Sequence, residues 1–161
     1  MVETELVRIG CRPLQGCKAC SRCYENQNKE CIIGSDSLNE FVQKMIEADG
    51  IILASPTYFA DVTAEMKAFI DRCGMIGKAN GDLFQCKVDA TVISMRRAGA
   101  IHALDTINHF FLTSQMIIPV SSYWNVGLGS GLGGVEDDEE GFATMELLSH
   151  NMAWLLKKIH S

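Results

Sequence analysis

The sequence lacks the features that mark membrane, secreted and nucleic-acid-binding proteins. None of its apolar runs approaches the roughly 20 residues of a membrane-spanning helix. Its first residues lack the basic and apolar regions of a signal peptide. The formal net charge is −6, and such an acidic chain disfavours nucleic acid and anionic membranes as partners. We therefore expect a cytoplasmic protein that binds neither nucleic acid nor membrane.

Internal repeats, low-complexity tracts and linkers are also missing, so the sequence predicts a single domain over residues 1–161. Apolar residues make up 47% and charged residues 21% of the chain, which is typical of a globular protein. A chain of this length buries about two-thirds of its unfolded surface and needs no disulfides to fold. Its seven cysteines are therefore more typical of metal binding or redox chemistry in a reducing compartment.

Short apolar segments and helical patterns alternate along the chain. The predicted strands cover residues 4–9, 51–54, 91–93 and 116–120. The fully apolar second segment is typical of a strand that is covered on both faces. Apolar residues at helical spacing predict helices within residues 38–46, 66–73, 100–111 and 145–159. The alternation predicts an α/β fold with a parallel sheet of about four strands sandwiched by helices. Ligands of such sheets bind at the carboxyl ends of the strands, so the candidate loops are residues 10–34, 55–63, 94–100 and 121–140.

The cysteine-rich loop at residues 10–34 carries the clearest chemical signal. Cys17, Cys20 and Cys23 form a C-x2-C-x2-C motif, and Cys31 follows after seven further residues. Three thiolates at this spacing can surround one side of a [4Fe–4S] cluster, and a more distant fourth cysteine can reach the remaining iron. The spacing favours this cluster, while structural zinc and free thiols stay open as alternatives.

Several other motifs are not expected to bind a cofactor. Cys73 lies on the apolar face of its predicted helix and is expected in the core. Residues 129–134 satisfy G-x-G-x-x-G, but the acidic run at 136–140 would repel a pyrophosphate. His102 and His109 share one predicted helix without a third ligand nearby, so they are interpreted as packing or surface residues.

A longer segment resembles a known family. Residues 55–72 read SPTYFADVTAEMKAFIDR, which resembles the S-P-x-Y…(S/T)-A-x-x-K-x-F-x-D-R segment of the NAD(P)H-dependent FMN reductases. The cysteine motif narrows the resemblance to the iron–sulfur flavoprotein branch, which carries C-x2-C-x2-C-x4–7-C in the same place. Neither motif alone would be specific, whereas their combination is.

The resemblance implies a flavodoxin-like fold, bound FMN, and NAD(P)H or a protein electron carrier as redox partner. It also implies that one loop wraps the flavin ring with Ser55, Pro56, Thr57, Tyr58 and Phe59. A second loop corresponds to another flavin-contacting loop of the family and contains Arg96, Arg97 and Gly99. Either arginine can place a positive charge near the N1–C2=O edge of the flavin and stabilise the reduced anion.

The chain departs from the family at its start. The family opens with a strand, a phosphate-binding loop and a helix, whereas this sequence begins at what resembles the family's second strand. We expect that this first βα unit is missing, through either a start codon assigned too late or a shortened family member. A shortened member would lack the amide groups that cradle the FMN phosphate, and it would discriminate poorly between FMN and riboflavin.

The sequence therefore predicts an oxidoreductase of the iron–sulfur flavoprotein type that transfers electrons through FMN and the cluster, and it assigns no catalytic residue. One alternative is an NAD(P)H-dependent flavin reductase whose cysteines hold no cluster. The other is a non-enzymatic cluster or zinc protein that has lost its flavin. Trp124 is assigned either to the flavin or to a subunit interface, and we expect a homo-oligomer.

Overall fold

The chain is described by a computed structural model that covers residues 2–161. Along the chain its elements are α1 Arg22–Asn26, α2 Leu38–Glu47, β1 Gly50–Pro56, α3 Ala64–Ala79, β2 Val88–Met95, α4 Ala100–Thr113, β3 Val126–Leu128 and α5 Glu139–Ile159. The chain divides into two units. The cysteine unit extends to Ala48 and includes Ala64–Gln85, and the sheet unit comprises Asp49–Thr63 and Cys86–Ser161. No helix within residues 2–161 is long and apolar enough to cross a membrane.

The sheet unit is built on three parallel strands in the order β1–β2–β3. β1 pairs along its whole length with β2, from Gly50 with Val88 to Pro56 with Ser94, and β3 pairs with the last three residues of β2. Because the strands are parallel, the loops that follow them leave the sheet at one edge, where ligands of such folds bind. The predicted parallel α/β architecture is confirmed.

Helices cover both faces of β2, which is the buried centre of the sheet unit. On one face Val88 and Ala90 pack against Leu148 and Met152 of α5. On the opposite face the hydroxyl of Thr91 donates a hydrogen bond of 2.7 Å to the side-chain oxygen of Asn108 on α4. Successive residues of a strand point to opposite faces, which explains why β2 alternates between these two helices.

The four predicted helices are confirmed as α2, α3, α4 and α5, but two predicted strands are wrong. Residues 4–9 form no strand, because no strand of the described chain pairs with them, and Leu6 is 85% exposed. Residues 116–120 contribute only one parallel bridge, from Ile117 to β2, and Pro119 has no N–H to donate to a ladder. The third strand of the sheet is β3 instead, so the described chain has three strands rather than about four.

β1 is covered on one face only, contrary to the expectation for its apolar sequence. Buried and exposed residues alternate along it, and Ile52 is 53% exposed. Within the sheet unit, α4 and α5 contact the neighbouring strand β2 and leave Ile52 and Ala54 of β1 exposed.

The core of the cysteine unit lies between α2 and α3. The rings of Phe41 and Phe69 meet edge to face there, with centroids 6.3 Å apart. The buried face of α2 consists of Leu38, Phe41, Val42 and Met45. α2 ends at Glu47, and Gly50 begins β1. The loop predicted at residues 10–34 contains the short helix α1, which the sequence did not predict.

Candidate functional site

Two loops meet at the carboxyl edge of the sheet unit, and the family resemblance assigns both of them to the flavin. We call residues 57–63 the β1 loop and residues 96–99 the β2 loop, after the strands that they follow. The backbone N–H of Thr57 in the first donates to the carbonyl of Ser94 at the end of β2, over 2.8 Å. Gly99 in the β2 loop has a φ of +91°, and a Cβ there would lie 3.0 Å from both Ala60 Cα and Thr57 Cγ2. The close approach of the two loops therefore requires glycine at position 99.

The β1 loop turns back on itself in a tight hairpin. Tyr58 and Asp61 exchange two backbone hydrogen bonds of 2.8 and 3.1 Å. Phe59 and Ala60 at the tip have φ values of +42° and +70°, a conformation that costs a non-glycine residue roughly 1–2 kcal/mol. The ring of Phe59 is fully exposed, and that of Tyr58 is largely exposed. Backbone strain of this kind is typical of ligand-binding loops, and open aromatic rings suit contact with a planar ligand.

Asp61 anchors this hairpin to α4. Its carboxylate accepts hydrogen bonds from Val62 N at 2.7 Å and from Thr106 Oγ1 at 2.8 Å. The exposed imidazole of His102 lies 3.4 Å from the second carboxylate oxygen. His102, interpreted from the sequence as a packing or surface residue, thus lies beside the β1 loop.

The hydroxyl groups of Ser55 and Thr57 differ in their surroundings. Ser55 is buried, and its Oγ donates to Pro56 O at 2.9 Å and accepts from Thr63 N at 3.2 Å, so this side chain supports the loop backbone. The hydroxyl oxygen of Thr57 is buried and has no hydrogen-bond partner within residues 2–161. An unpaired buried hydroxyl costs about 1–3 kcal/mol, so a polar ligand atom that pairs with it would be stabilised.

Arg96 and Arg97 carry positive charge in the β2 loop. Both are exposed, and no carboxylate in the described part of the chain forms an ion pair with either. The structure therefore brings the residues that the resemblance assigns to FMN to one edge of the sheet unit, with Ser55 buried beneath the loop. An aromatic, polar and cationic edge of this kind fits an anionic flavin.

The predicted cluster ligands belong to the cysteine unit and line one pocket. Cys17, Cys20, Cys23 and Cys31 all border it, together with Arg72. All four are free thiols, of which the first two are exposed and the last two half-buried. Among residues 2–161, no three Cys, His, Asp or Glu side chains already lie close enough together to hold a metal ion. The pocket thus gathers four thiols without closing them into a ligand shell, and four thiols are the donor set of either a [4Fe–4S] cluster or structural zinc.

The backbone around this pocket is tightly wound. Ala19, Ser21, Gln27 and Lys29 have φ values between +46° and +63°, although none of them is glycine. One of these turns lets the N–H of Ala19 donate to Cys17 Sγ over 3.4 Å. Hydrogen bonds to cysteine sulfur tune metal and iron–sulfur sites, and clustered backbone strain is typical of functional loops.

The sulfurs of the motif affect one another. Burial raises the pKa of the Cys23 thiol, and negative charge on Cys17 and Cys20 raises it further, against the lowering effect of nearby backbone N–H groups. A bound cation would offset this negative charge and favour the thiolate form that a metal requires.

Sequence reasoning missed Arg72 and Asn39, whose side chains hydrogen-bond to Cys31. Arg72 is 1% exposed, although it carries a charge. The signal that would have found it is its position on α3, three residues after buried Phe69 and four before buried Ile76. A charged residue on the buried face of a helix needs a specific partner.

The remaining cysteines lie outside the pocket. Cys73 is fully buried, which confirms its predicted place in the core. Burial raises the pKa of its thiol and so disfavours the thiolate that a metal requires. Cys11 and Cys86 are exposed and do not line the pocket.

Comparison with known proteins connects the chain to flavin-dependent redox proteins. The family described as NADPH-dependent FMN reductase matches residues 1–131. An iron–sulfur flavoprotein of Methanocaldococcus jannaschii is 33% identical over 98% of this chain and 83% of that relative. An iron–sulfur flavoprotein of Archaeoglobus fulgidus is 30% identical over 98% of this chain and 83% of that relative. Among solved structures, RosB with bound 8-demethyl-8-formylriboflavin-5'-phosphate shares the fold, with a TM-score of 0.69 and 21% identity over 98% of this chain and 66% of RosB.

Proposed function

Because the chain belongs to the NADPH-dependent FMN reductase family, we propose that it is an iron–sulfur flavoprotein that holds FMN and a [4Fe–4S] cluster. Membership of this family makes it a flavin-dependent oxidoreductase with a nicotinamide nucleotide as redox partner. Bound FMN can exchange two electrons with one partner and single electrons with another. The residues of the chain bind the flavin and the cluster and offset the negative charge of both groups.

The FMN site in this proposal is the carboxyl edge of the sheet unit. Pro56, Thr57 and Tyr58 contact the flavin ring, and the unpaired hydroxyl of Thr57 bonds one of its polar atoms. Arg96 and Arg97 offset the negative charge of the reduced flavin. The strained hairpin and the unpaired hydroxyl support this assignment, since both are unfavourable unless a ligand compensates for them.

The cluster site is the pocket of the cysteine unit, with Cys17, Cys20, Cys23 and Cys31 as ligands. The observation that carries the proposal is that these four thiols line one pocket, although Cys31 is separated from the others in the sequence. Two C-x2-C motifs that share one cysteine are an unusual spacing for structural zinc, so iron is the better fit.

Single replacements of the ligands test the proposal. Each of the variants Cys17→Ala, Cys20→Ala, Cys23→Ala and Cys31→Ala is expected to lose most of its iron, because a cluster with one open corner is labile. Cys86→Ala is the matched control, since this thiol is exposed and lies outside the pocket. Iron, zinc and flavin are measured on protein purified without oxygen.

Three outcomes would contradict this proposal. Full iron content in Cys31→Ala would show that the four-ligand assignment is wrong. Zinc in place of iron would make the pocket a structural metal site. FMN without metal would identify the chain as a flavin reductase whose cysteines hold no cluster.

A further inference from the structure

Arg72 is a buried cation that contacts the loop of residues 15–36, which carries the four pocket cysteines. Its Nε donates to Cys31 Sγ at 3.4 Å, and its Nη2 donates to Ile33 O at 3.0 Å. Its Nη1 donates to Gln15 O at 3.1 Å and to the carboxylate of Asp36 at 2.5 Å. One guanidinium thus uses all three of its nitrogen atoms on this loop.

The oxygen acceptors of Arg72 lie before and after the segment that spans the four pocket cysteines. Gln15 precedes Cys17 by two residues, whereas Ile33 and Asp36 follow Cys31. The Asp36 carboxylate is as deeply buried as the guanidinium, so the two groups form a buried ion pair. A buried ion pair adds little net stability compared with an apolar pair, but removing one partner is costly. Its role here is therefore geometric, since it fixes where the loop begins and where it ends.

Asn39 holds the backbone of the same cysteine. The N–H of Cys31 donates to Asn39 Oδ1 at 2.8 Å, and Asn39 Nδ2 donates to Cys31 O at 3.0 Å. With Arg72 on its sulfur, Cys31 is fixed at both main chain and side chain. It is also the ligand most distant from the motif in sequence, and the one whose position local spacing cannot define.

We propose that Arg72 is the positioning residue of the cysteine pocket: it ties together the two ends of residues 15–36 and directs one N–H at the Cys31 sulfur. A second role of Arg72, its effect on the reduction potential of the cluster, rests on the proposed function. Reduction of a [4Fe–4S] cluster adds one electron and one negative charge, and a cation that hydrogen-bonds to a ligand sulfur favours the reduced form. Arg72 therefore raises the reduction potential of the cluster.

The first measurement needs no cluster. Hydrogen exchange of residues 15–36 is followed by mass spectrometry in metal-free protein, for the wild type and for Arg72→Met. Loss of charge-assisted hydrogen bonds is expected to speed exchange roughly tenfold or more in this segment. Lys78→Met is the matched control, because it removes one positive charge from the same helix. The ammonium of Lys78 pairs at 2.6 Å with Asp82, which lies outside residues 15–36.

A double variant guards against simple misfolding. Arg72→Met leaves the Asp36 carboxylate buried without its partner, so Arg72→Met/Asp36→Asn removes that charge as well. The double variant is expected to keep its helices, by circular dichroism, and still to exchange fast in residues 15–36. Exchange as slow as in the wild type would overturn the inference.

The second measurement uses the loaded protein. Potentiometric titration with a one-electron chemical reductant is expected to give a more negative potential for Arg72→Met than for the wild type and Lys78→Met. Arg72→Lys keeps the charge and is expected to fall in between. Equal potentials in all four proteins would contradict the electrostatic role. A wild type without iron would refute the cluster proposal alone, because the exchange experiment still decides the role of Arg72.

Discussion

At the scale of single residues, Asp89 is an acidic side chain in the interior of the sheet unit. It is fully buried in β2, and neither carboxylate oxygen has a hydrogen-bond partner within residues 2–161. Burial raises its pKa to about 7, well above the ~3.9 of an aspartate in an unfolded chain. The folded protein therefore binds the Asp89 proton more tightly than the unfolded chain does. The resulting contribution to the free energy of unfolding is fully present below about pH 4 and is lost as the pH rises through about 7.

Asp89→Asn is expected to stabilise the protein at alkaline pH, because the amide cannot ionise. The gain in the free energy of unfolding is of the order of 2–4 kcal/mol at pH 8 and about a third of that at pH 5. Urea unfolding at the two pH values measures it. Asp105→Asn, on the exposed face of α4, is the control and should change the free energy of unfolding by less than about 0.5 kcal/mol. Equal effects of Asp89→Asn at both pH values would contradict the interpretation.

How far single residues can be predicted depends on how local their partners are. Cys17, Cys20 and Cys23 could be grouped from their spacing, because a C-x2-C-x2-C motif keeps its thiols close in sequence. The place of Cys31 depends instead on the side chains of Asn39 and Arg72. The role of Arg72 does not follow from the sequence, since its partners Asp36 and Gln15 lie 36 and 57 residues away. Likewise, only the structure shows that Ser55 supports the β1 loop while Thr57 keeps an unpaired hydroxyl.

At the scale of elements, the hairpin of the β1 loop presents Phe59 to solvent without packing it against the protein. Phe59→Ala is therefore expected to leave the melting temperature unchanged. FMN affinity should fall roughly three- to tenfold, because an aromatic contact is worth about 0.5–1.5 kcal/mol beyond its buried area. Thermal unfolding and fluorescence titration of the apoprotein with FMN measure the two effects.

Trp154→Ala provides the matched control for this prediction. Trp154 is also a largely exposed aromatic residue, but it lies on α5 and not in a loop that follows a strand. Its replacement should change neither stability nor FMN affinity. A lower melting temperature in Phe59→Ala, or FMN affinity equal to that of the wild type, would assign Phe59 no role in holding the flavin.

The elements themselves were predictable where their signal is local. Helical periodicity is contained in one segment, and α2, α3, α4 and α5 all carry it. Strands depend on a partner elsewhere in the chain, so the alternating segment at 4–9 and the apolar segment at 116–120 misled the prediction. The three-residue strand β3 contains a glycine and has no periodicity that a sequence pattern could reveal.

At the scale of the whole molecule, the two candidate sites belong to different units, so their cofactors should be lost independently. Cys31→Ala is expected to lose iron and keep FMN. Gly99→Ala is expected to lose at least tenfold in FMN affinity and keep iron, because a Cβ at this left-handed position collides with the β1 loop. Gly81→Ala is the control, because this glycine is also left-handed but has open space around it. Loss of both cofactors in either single variant would contradict this independence.

In the proposed function, one chain holds both a flavin and an iron–sulfur cluster. Analysis of iron, acid-labile sulfide, zinc and FMN in wild-type protein purified without oxygen, together with its absorption spectrum, tests this most directly. We expect about four iron, about four sulfide and about one FMN per chain, with flavin bands over the broad absorption of the cluster. Stoichiometric zinc without sulfide, or FMN without any iron, would contradict it.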